Sequence, residues 1–230
     1  MHQRSRRRFL QEVGAVSAAA TVAASAHARS RGADERLTLG VIGCGGRGSG
    51  LLKAFGQIAD VAYVCDPDEA RREQAKERSG AKRAVNDLRR VLDDSSVDAV
   101  VIATPDHWHA PAAIMACEAG KHVYVEKPCS HNYRESRLLV DAARRNDVVV
   151  QHGTQSRSNE LIAGAMQMLR EGVIGDVLVA KAWNVQRRGN IGHKTPSDPP
   201  PGVDYDAWVG PAAFLPYQEN RFHYNWHWFW

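Results

Sequence analysis

A glycine-rich hexapeptide, Gly43-Cys44-Gly45-Gly46-Arg47-Gly48, is the clearest candidate for ligand-binding chemistry in this sequence. It fits the spacing G-x-G-x-x-G and lies between a predicted strand and a predicted helix. In such a turn Gly43 permits the sharp bend, Gly45 lets the backbone approach a pyrophosphate, and Gly48 lets the helix pack closely on the strand. The N-terminus of the helix supplies unpaired N–H groups for the phosphates. The hexapeptide therefore predicts a dinucleotide-binding turn.

Asp66 follows this turn at the end of the next predicted strand. A carboxylate there accepts hydrogen bonds from a ribose and repels a 2′-phosphate, which favours NAD over NADP. Arg71 and Arg72 lie close by in sequence and could accommodate a 2′-phosphate, so NADP remains the less favoured alternative. Asp66 also precedes Pro67, so it suits a helix N-cap, and one carboxylate can serve both roles.

The segment ATPDHWHAP, residues 103–111, leaves a predicted strand and enters a predicted helix. In parallel sheets ligands bind beyond the carboxyl ends of the strands, so Thr104, Pro105 and His109 are predicted to lie at the cofactor. His107 and His109 could also be imagined as metal ligands. Because no carboxylate or cysteine cluster accompanies them, histidines that form hydrogen bonds at a helix start are favoured, and no metal is predicted.

Glu126, Lys127 and Pro128 follow the buried run HVYVE at the same predicted edge, one strand further along. With a dinucleotide lying across that edge, Lys127 would point toward the nicotinamide and the hydroxyl being oxidised. A lysine at a strand end is also often a solvated charge, and the residues alone leave both readings open. The predicted cofactor residues are Gly43, Gly45, Gly46, Arg47, Gly48, Asp66, Thr104, Pro105, His109 and Glu126.

Alternating strands and helices, which begin at residue 37, would position these side chains. The predicted strands are 37–43, 61–65, 97–104, 122–126 and 148–153, and the predicted helices are 47–56, 68–79, 86–93, 107–119 and 132–145. Strands this apolar, separated by helices, predict an α/β fold with a doubly wound parallel sheet covered on both faces. Asn132, three residues before Glu135, predicts a capped start for the last of these helices.

The pattern changes after residue 153. A helix is predicted over about 159–171 and a strand over 176–185, followed by a loop rich in glycine and proline. From Phe222 to Trp230 aromatic residues alternate with polar ones, which predicts a strand with one aromatic face. Either a partner chain covers such a strand or the sequence stops before its domain does. The second is favoured, because the residues after 153 supply too few strands for an independent sheet, so residues 154–230 are expected to begin a second domain that this sequence does not complete.

Residues 1–28 have the pattern of a targeting signal and are not expected to be part of the folded domain. Arg6 and Arg7 precede a mildly apolar run that ends in Ala26-His27-Ala28, the order of a twin-arginine export signal with its cleavage site. Without the four arginines and one glutamate of this segment, 30 basic and 26 acidic residues become 26 and 25, and the net charge falls from +4 to +1. This charge does not favour nucleic acid, and no apolar run is long enough to span a membrane.

The four cysteines show no C-x-x-C spacing. Zinc sites need clustered ligands, so Cys44 and Cys65 are interpreted as small buried thiols.

Taken together, VIGCGGRGSGLL, VCDPD, ATPDHWHA and the triplet EKP after a strand resemble the glucose-fructose oxidoreductase, inositol dehydrogenase and rhizopine-catabolism (Gfo/Idh/MocA) family. The resemblance covers residues 37–230, and RGNIG and the aromatic tail are similar to its exported branch. It implies a Rossmann-type domain over 37–153, and it implies an incomplete α+β, mostly antiparallel sheet domain for substrate binding and oligomers over 154–230. It further implies a cis Lys127–Pro128 peptide that turns a catalytic Lys127 into the active site.

The resemblance also implies that Arg157, in GTQSR, faces the substrate, although a surface arginine before a helix is as good an interpretation. Members of this family usually carry an acid/base histidine in a segment that has no counterpart in this sequence, and His193, His223 and His227 do not match it. The expected function is an exported, NAD-dependent oxidoreductase acting on a secondary alcohol of a sugar or polyol, homo-oligomeric when full length. Two alternatives stay open: an NAD-dependent glycoside hydrolase, against which Lys127 argues, and a non-catalytic sugar-binding protein that holds the cofactor.

Overall fold

The computed structural model describes residues 36–183, 185, 187 and 189–228, with side chains as far as Trp226. The predicted export signal, residues 1–28, lies outside the described residues and stays a prediction. Within the described part no helix is both long enough and apolar enough to cross a membrane.

A six-stranded parallel sheet forms the centre of the fold, and the sequence predicts the parallel sheet and five of its six strands. Its strands are β1 (Thr38–Ile42), β2 (Asp60–Cys65), β3 (Arg83–Val85), β4 (Ala99–Ile102), β5 (His122–Glu126) and β6 (Val150–Gly153). They lie in the order β3-β2-β1-β4-β5-β6, and every neighbouring pair is parallel. The order reverses between β1 and β4, which creates the crevice where doubly wound sheets bind their ligands. The sequence missed β3, because three residues are too few to show a periodicity.

Helices connect the strands at the predicted places. They are α1 (Gly46–Phe55), α2 (Glu69–Ser79), α3 (Arg89–Leu92), α4 (Asp106–Glu118), α5 (Tyr133–Arg145) and, after the sheet, α6 (Glu160–Arg170). The Asn132 side chain accepts a hydrogen bond from the Glu135 backbone N–H at 3.0 Å, so the predicted cap of α5 is confirmed. The predicted N-cap role of Asp66 is wrong, because α2 begins later and Asp68 caps it by accepting from the Ala70 and Arg71 N–H groups.

The sheet is buried on both faces because its side chains alternate in direction along each strand. Val100 and Ile102 of β4 belong to a cluster that includes Ala116 of α4 and Leu139 of α5. Val101, between them in sequence, belongs to the opposite cluster with the side chains of α1 and α2. Burial of this kind contributes about 25 cal/mol for each Å² of apolar surface removed from water. The two cores therefore hold the sheet's carboxyl edge in a fixed position.

The expected strands after Gly153 are absent from the described residues. Over 176–183 the chain forms no strand, and Leu178 and Val179 are 89% and 70% exposed. The aromatic run is also not a strand, because residues His223–Trp228 form a 3₁₀ helix. A strand needs a neighbour for its backbone hydrogen bonds, and the described residues offer this part of the chain one antiparallel bridge, between Asp68 and Val203. A second domain beginning at residue 154 stays a prediction.

Candidate functional site

The glycine turn between β1 and α1 has the geometry its spacing predicts. Gly43 has a φ of +88°, and a Cβ there would lie 2.6 Å from the Ala103 backbone, so the turn requires glycine. The Gly43 N–H donates to the Cys65 carbonyl at 2.8 Å, which ties the turn to β2. A Cβ on Gly48 would overlap the Gly43 carbonyl oxygen. Gly48 thus serves the close packing of α1 against the turn, as expected.

The N-terminus of α1 is suited to an anion. Its N-cap is Gly45, whose lack of a side chain leaves the first-turn N–H groups without a side-chain cap. A Cβ on Gly45 would meet the Arg71 guanidinium, so this cation from α2 lies directly over the turn. Exposed N–H groups, the positive end of a helix and a nearby guanidinium together form a site for a pyrophosphate.

Asp66 is buried at the end of β2, with 5% of its surface exposed. One carboxylate oxygen accepts from the Cys44 N–H at 2.8 Å, and the other accepts from the Asp68 N–H at 2.9 Å. Burial raises the pKa of Asp66, while these two hydrogen bonds act in the opposite direction. A carboxylate has about four acceptor positions, so two remain for the hydroxyls of a ribose.

The loop after β4 contributes an unsatisfied hydroxyl. The Thr104 Oγ1 is buried and has no hydrogen-bond partner among the described residues. Buried hydroxyls are normally bonded, and this one belongs to a residue that lines the cleft described below. A bound ligand with a polar group at this position would satisfy Thr104.

His109 bridges two loops at the carboxyl edge of the sheet. Its ring is 2% exposed, with Nδ1 2.6 Å from the Pro128 carbonyl and Nε2 2.8 Å from the Thr104 carbonyl. Because both ring nitrogens face backbone carbonyls, the imidazole positions these loops. His109 also lines the cleft described below, and its predicted contact with the cofactor stays a prediction. It links the loop after β4 to the loop after β5. The predicted hydrogen bonding of the histidines at this helix start is confirmed for His109 and for His107, whose Nε2 donates to the Trp208 carbonyl at 3.0 Å.

The end of β5 carries the predicted lysine. The Lys127–Pro128 peptide is cis, and Lys127 is exposed at the carboxyl edge of the sheet. Beside it, Glu126 is 3% exposed and one of its oxygens accepts from the Arg47 Nε at 2.7 Å. The other Glu126 oxygen is 3.3 Å from the Lys127 backbone N–H. This carboxylate therefore connects the glycine turn to the lysine, across 79 residues of sequence.

A single cleft of about 1100 Å³ joins these features. Of the predicted site residues, those lining it are Gly43, Gly45, Gly46, Arg47, Asp66, Thr104, Pro105, His109, Glu126 and Lys127. Gly48 lies behind the turn, and Arg157, in the 3₁₀ turn Gln155–Ser158, is exposed and does not line the cleft. Gln155 lines it instead. The spatial convergence of the turn, Asp66 and Lys127 is therefore confirmed, whereas Arg157 is not brought to them.

Sequence reasoning missed one part of the cleft. Residues from 204 to 226, far beyond the sheet, also line it, among them Asp204, Trp208 and His223. They reach the cleft through contacts with residues about 100 to 155 positions earlier, such as Trp208 with His107 and His223 with Asp68. Contacts at such separation leave no local periodicity, so no sequence signal could have found them.

Among the described residues, the cysteines and the other metal-binding residue types form no further centre. Cys44 and Cys65 are free and buried, as expected, and burial raises the pKa of both thiols, which makes them inert. In the part of the chain that the structure describes, no group of three or more His, Cys, Asp or Glu residues could hold a metal ion.

Comparison with known proteins assigns the family. The profile of the Gfo/Idh/MocA group, described as "Oxidoreductase family, NAD-binding Rossmann fold", matches residues 37–154. The chain is 32% identical over 236 aligned positions to "Glycosyl hydrolase family 109 protein 1" of Shewanella sp. (strain ANA-3), which covers 86% of this chain and 50% of that protein. The chain belongs to the Gfo/Idh/MocA oxidoreductase family. It spans about half the length of this curated relative.

Two solved structures support the same assignment. An NAD-binding oxidoreductase from Klebsiella pneumoniae is 31% identical, with a TM-score of 0.55 over 61% of this chain and 40% of that one. The WlbA dehydrogenase from Bordetella pertussis, solved with NADH and UDP-GlcNAcA, is 27% identical, with a TM-score of 0.56 over 60% of this chain and 44% of that one. The fold is thus the Rossmann-type α/β fold of NAD-binding oxidoreductases.

NAD is the cofactor of this family, and the residues present fit it. The uncapped start of α1 beside Arg71 suits the pyrophosphate, and Asp66 keeps two acceptor positions for a ribose. The buried Thr104 hydroxyl lacks a protein partner among the described residues. These three observations identify the residues that would hold the dinucleotide along the cleft.

Proposed function

We propose that this chain supplies the cofactor domain of an NAD-dependent oxidoreductase that transfers hydride between the nicotinamide and a secondary alcohol of a sugar or polyol. The observation that carries this proposal is Lys127. Its side chain is exposed, lines the same cleft as the glycine turn and Asp66, and stands at the carboxyl end of β5, beyond the switch point of the sheet. A free ammonium at that position can bind the oxygen of an alcohol that reacts at the nicotinamide.

Each of these cleft residues is proposed to have a distinct role in the reaction. NAD, when bound, supplies the hydride acceptor. The Lys127 ammonium donates a hydrogen bond to the substrate oxygen and stabilises the negative charge that develops there as the proton leaves. Glu126, held by Arg47 and by the Lys127 backbone N–H, keeps this turn in place. A histidine is proposed as the proton acceptor, as the family resemblance implies.

Replacing Lys127 tests the proposal. In the native full-length protein, Lys127→Met is expected to lower NAD reduction by a panel of sugars and polyols by about 10²-fold or more, the usual effect of removing a positioned charge. NADH binding, measured by its fluorescence, should stay within about twofold, because the pyrophosphate and ribose contacts lie elsewhere in the cleft. The matched control is Lys82→Met, an exposed lysine that does not line the cleft. Equal activity in both variants, or no NADH binding at all, would contradict the proposal.

A second candidate function is supported by the similarity to a family 109 glycosyl hydrolase over 86% of this chain. In an NAD-dependent hydrolase the substrate is oxidised transiently, the glycosidic bond is cleaved, and the hydride is returned, so no reduced cofactor accumulates. Aryl glycosides distinguish the two reactions. Release of the aryl group with no net formation of NADH identifies the hydrolase, whereas NADH formed in step with sugar oxidation, and no aryl release, identifies the dehydrogenase.

The site of action is proposed to be outside the cytoplasm. This rests on Arg6, Arg7 and the sequence Ala26-His27-Ala28, which match a twin-arginine signal. N-terminal sequencing of the protein from its native host is expected to begin at Arg29. A mature protein that retains Met1 or the twin arginines would contradict export by this route.

A further inference from the structure

Residues 202–226, called the capping segment below, lie beyond the part of the chain that the family profile matches, which ends at residue 154. The segment contains the short helix α7 (Tyr205–Val209) and the 3₁₀ turn Glu219–Arg221. Its side chains nevertheless line the dinucleotide cleft, including Trp208, His223, Tyr224 and Trp226. The cleft therefore has a wall that the Rossmann domain does not provide.

One end of the capping segment is attached to the loop after β2. The Glu69 N–H donates to the Gly202 carbonyl at 3.0 Å, and the Asp204 N–H donates to the Pro67 carbonyl at 3.0 Å. Both partners in the loop lie within three residues of Asp66. In dinucleotide-binding sheets the acid at the end of β2 binds the adenosine ribose. This attachment therefore lies on the adenosine side of the cleft.

His223 makes a further contact with the same loop. Its Nε2 is 2.9 Å from the Asp68 carboxylate, which can only accept, so Nε2 carries the proton. Burial lowers the pKa of His223, with Arg71 adding to the effect, which favours the neutral ring. Nδ1 is then an acceptor, and it is buried without a partner among the described residues. The residue also has a φ of +50°, a backbone conformation that residues other than glycine rarely adopt.

The other side of the capping segment is attached to the start of α4. The Trp108 Nε1 donates to the Ala207 carbonyl at 3.0 Å, and His107 donates to the Trp208 carbonyl. Gly210 lies against the Trp108 ring so closely that a Cβ there would overlap it. Because β1 lies between β2 and β4 in the sheet, the two attachments stand on either side of the glycine turn.

We propose that the capping segment encloses the adenosine half of the dinucleotide and slows its release. The inference rests on the proposed function, since it assumes that NAD occupies the cleft. The aromatic side chains of the segment provide apolar surface for a purine, and the unpartnered His223 Nδ1 provides an acceptor for a hydroxyl or amino group. A dinucleotide enclosed in this way leaves when the contacts of the segment with Asp68 and Trp108 open, so it is a resident group rather than a freely exchanging substrate.

Gly210→Ala tests this inference in the native full-length protein. The added methyl group must displace the segment from the Trp108 ring, and the residue also has a φ of +50° that alanine disfavours. We expect NADH to dissociate at least about tenfold faster, measured by stopped-flow displacement with excess NAD, which corresponds to about 1.4 kcal/mol. The matched control is Gly164→Ala in α6, where the added methyl group meets no atom within 4 Å. Its dissociation rate should equal that of the unaltered chain.

ADP-ribose, which lacks the nicotinamide, locates the effect. We expect Gly210→Ala to weaken ADP-ribose and NADH by the same factor. Weaker NADH binding with unchanged ADP-ribose binding would overturn the assignment to the adenosine half. An unchanged NADH dissociation rate would overturn the inference itself, whereas an unaltered chain that binds no NADH would overturn the proposed function instead.

A second variant keeps the test valid if Gly210→Ala does not fold. Trp108→Phe removes the indole N–H that bonds Ala207 but retains an aromatic ring. Its far-ultraviolet circular dichroism should match that of the unaltered chain, and its NADH dissociation should again be faster. A folded Trp108→Phe protein with unchanged dissociation would contradict the proposed enclosure.

Discussion

The ion pair between Arg47 and Glu126 joins the glycine turn to the end of β5, and breaking it is expected to destabilise the protein. The Arg47 Nε is 2.7 Å from the Glu126 carboxylate, and the two side chains are 45% and 4% exposed. The hydrogen bond to Glu126 raises the pKa of Arg47. Arg47→Met therefore leaves a buried carboxylate without its cation, which is more costly than losing the attraction alone.

The magnitude follows from the geometry. At 2.7 Å and an effective dielectric constant of about 20, the Coulomb attraction is about 6 kcal/mol. Solvent screens the half-exposed arginine, and the desolvation of Glu126 offsets a further part, so a net loss of about 2 kcal/mol is expected. For a chain of this size the melting temperature then falls by about 4–8 °C.

A double-mutant cycle in urea isolates the pair. Glu126→Gln removes the charge that Arg47→Met leaves unpaired, so the double variant should be more stable than the sum of the single changes predicts, by about 1–2 kcal/mol. The control, Arg134→Met, changes an exposed arginine at the start of α5 and should shift stability by less than about 0.5 kcal/mol. A coupling energy near zero would refute the reasoning, because the two side chains would then act independently.

Two further predictions concern stability. Gly48→Ala should destabilise the chain by about 2–4 kcal/mol in urea unfolding, because the new methyl group overlaps the Gly43 carbonyl. The control, Gly50→Ala in the same helix, places its methyl group in open space and should be neutral or slightly stabilising. Equal effects of the two substitutions would contradict the packing argument. Hydrogen bonds from Ser96, and to a smaller extent from Tyr63, lower the pKa of Asp94 from its usual value of 3.8 to about 2. Ionised Asp94 therefore stabilises the folded state above about pH 4, and this stabilisation is lost as the pH falls toward 2. Asp94→Asn should lower the free energy of unfolding by about 1 kcal/mol at pH 7 and by progressively less in acid. A difference in urea midpoint that does not change with pH would contradict this prediction.

Much of the first half of the fold could be predicted from the sequence because its signals are local. The apolar runs that became β1, β2, β4, β5 and β6 stand within a residue or two of their predicted bounds. Asn132 caps α5 through a residue three positions away, so the pattern and the contact lie in the same stretch of chain. The glycine turn could be predicted for the same reason, because its glycines are required by close contacts within the turn or with the end of an adjacent strand.

The misassigned features depend on partners far away in sequence. Asp66 accepts from the backbone N–H of Cys44, 22 positions earlier in sequence, and Asp68 caps α2. The alternation of aromatic and polar residues near His223 suggests a strand, yet the segment turns into a 3₁₀ helix.

By itself the sequence determined the parallel sheet, its ligand-binding edge and the residues of the glycine turn, because periodicity and turn chemistry act over a few neighbouring residues. Only the tertiary structure decided that His109 holds two loops together, that Arg47 pairs with Glu126, and that residues 202–226 wall the cleft. Each of these contacts joins chain segments that meet only after the sheet has formed, and their geometry depends on how every layer between them packs.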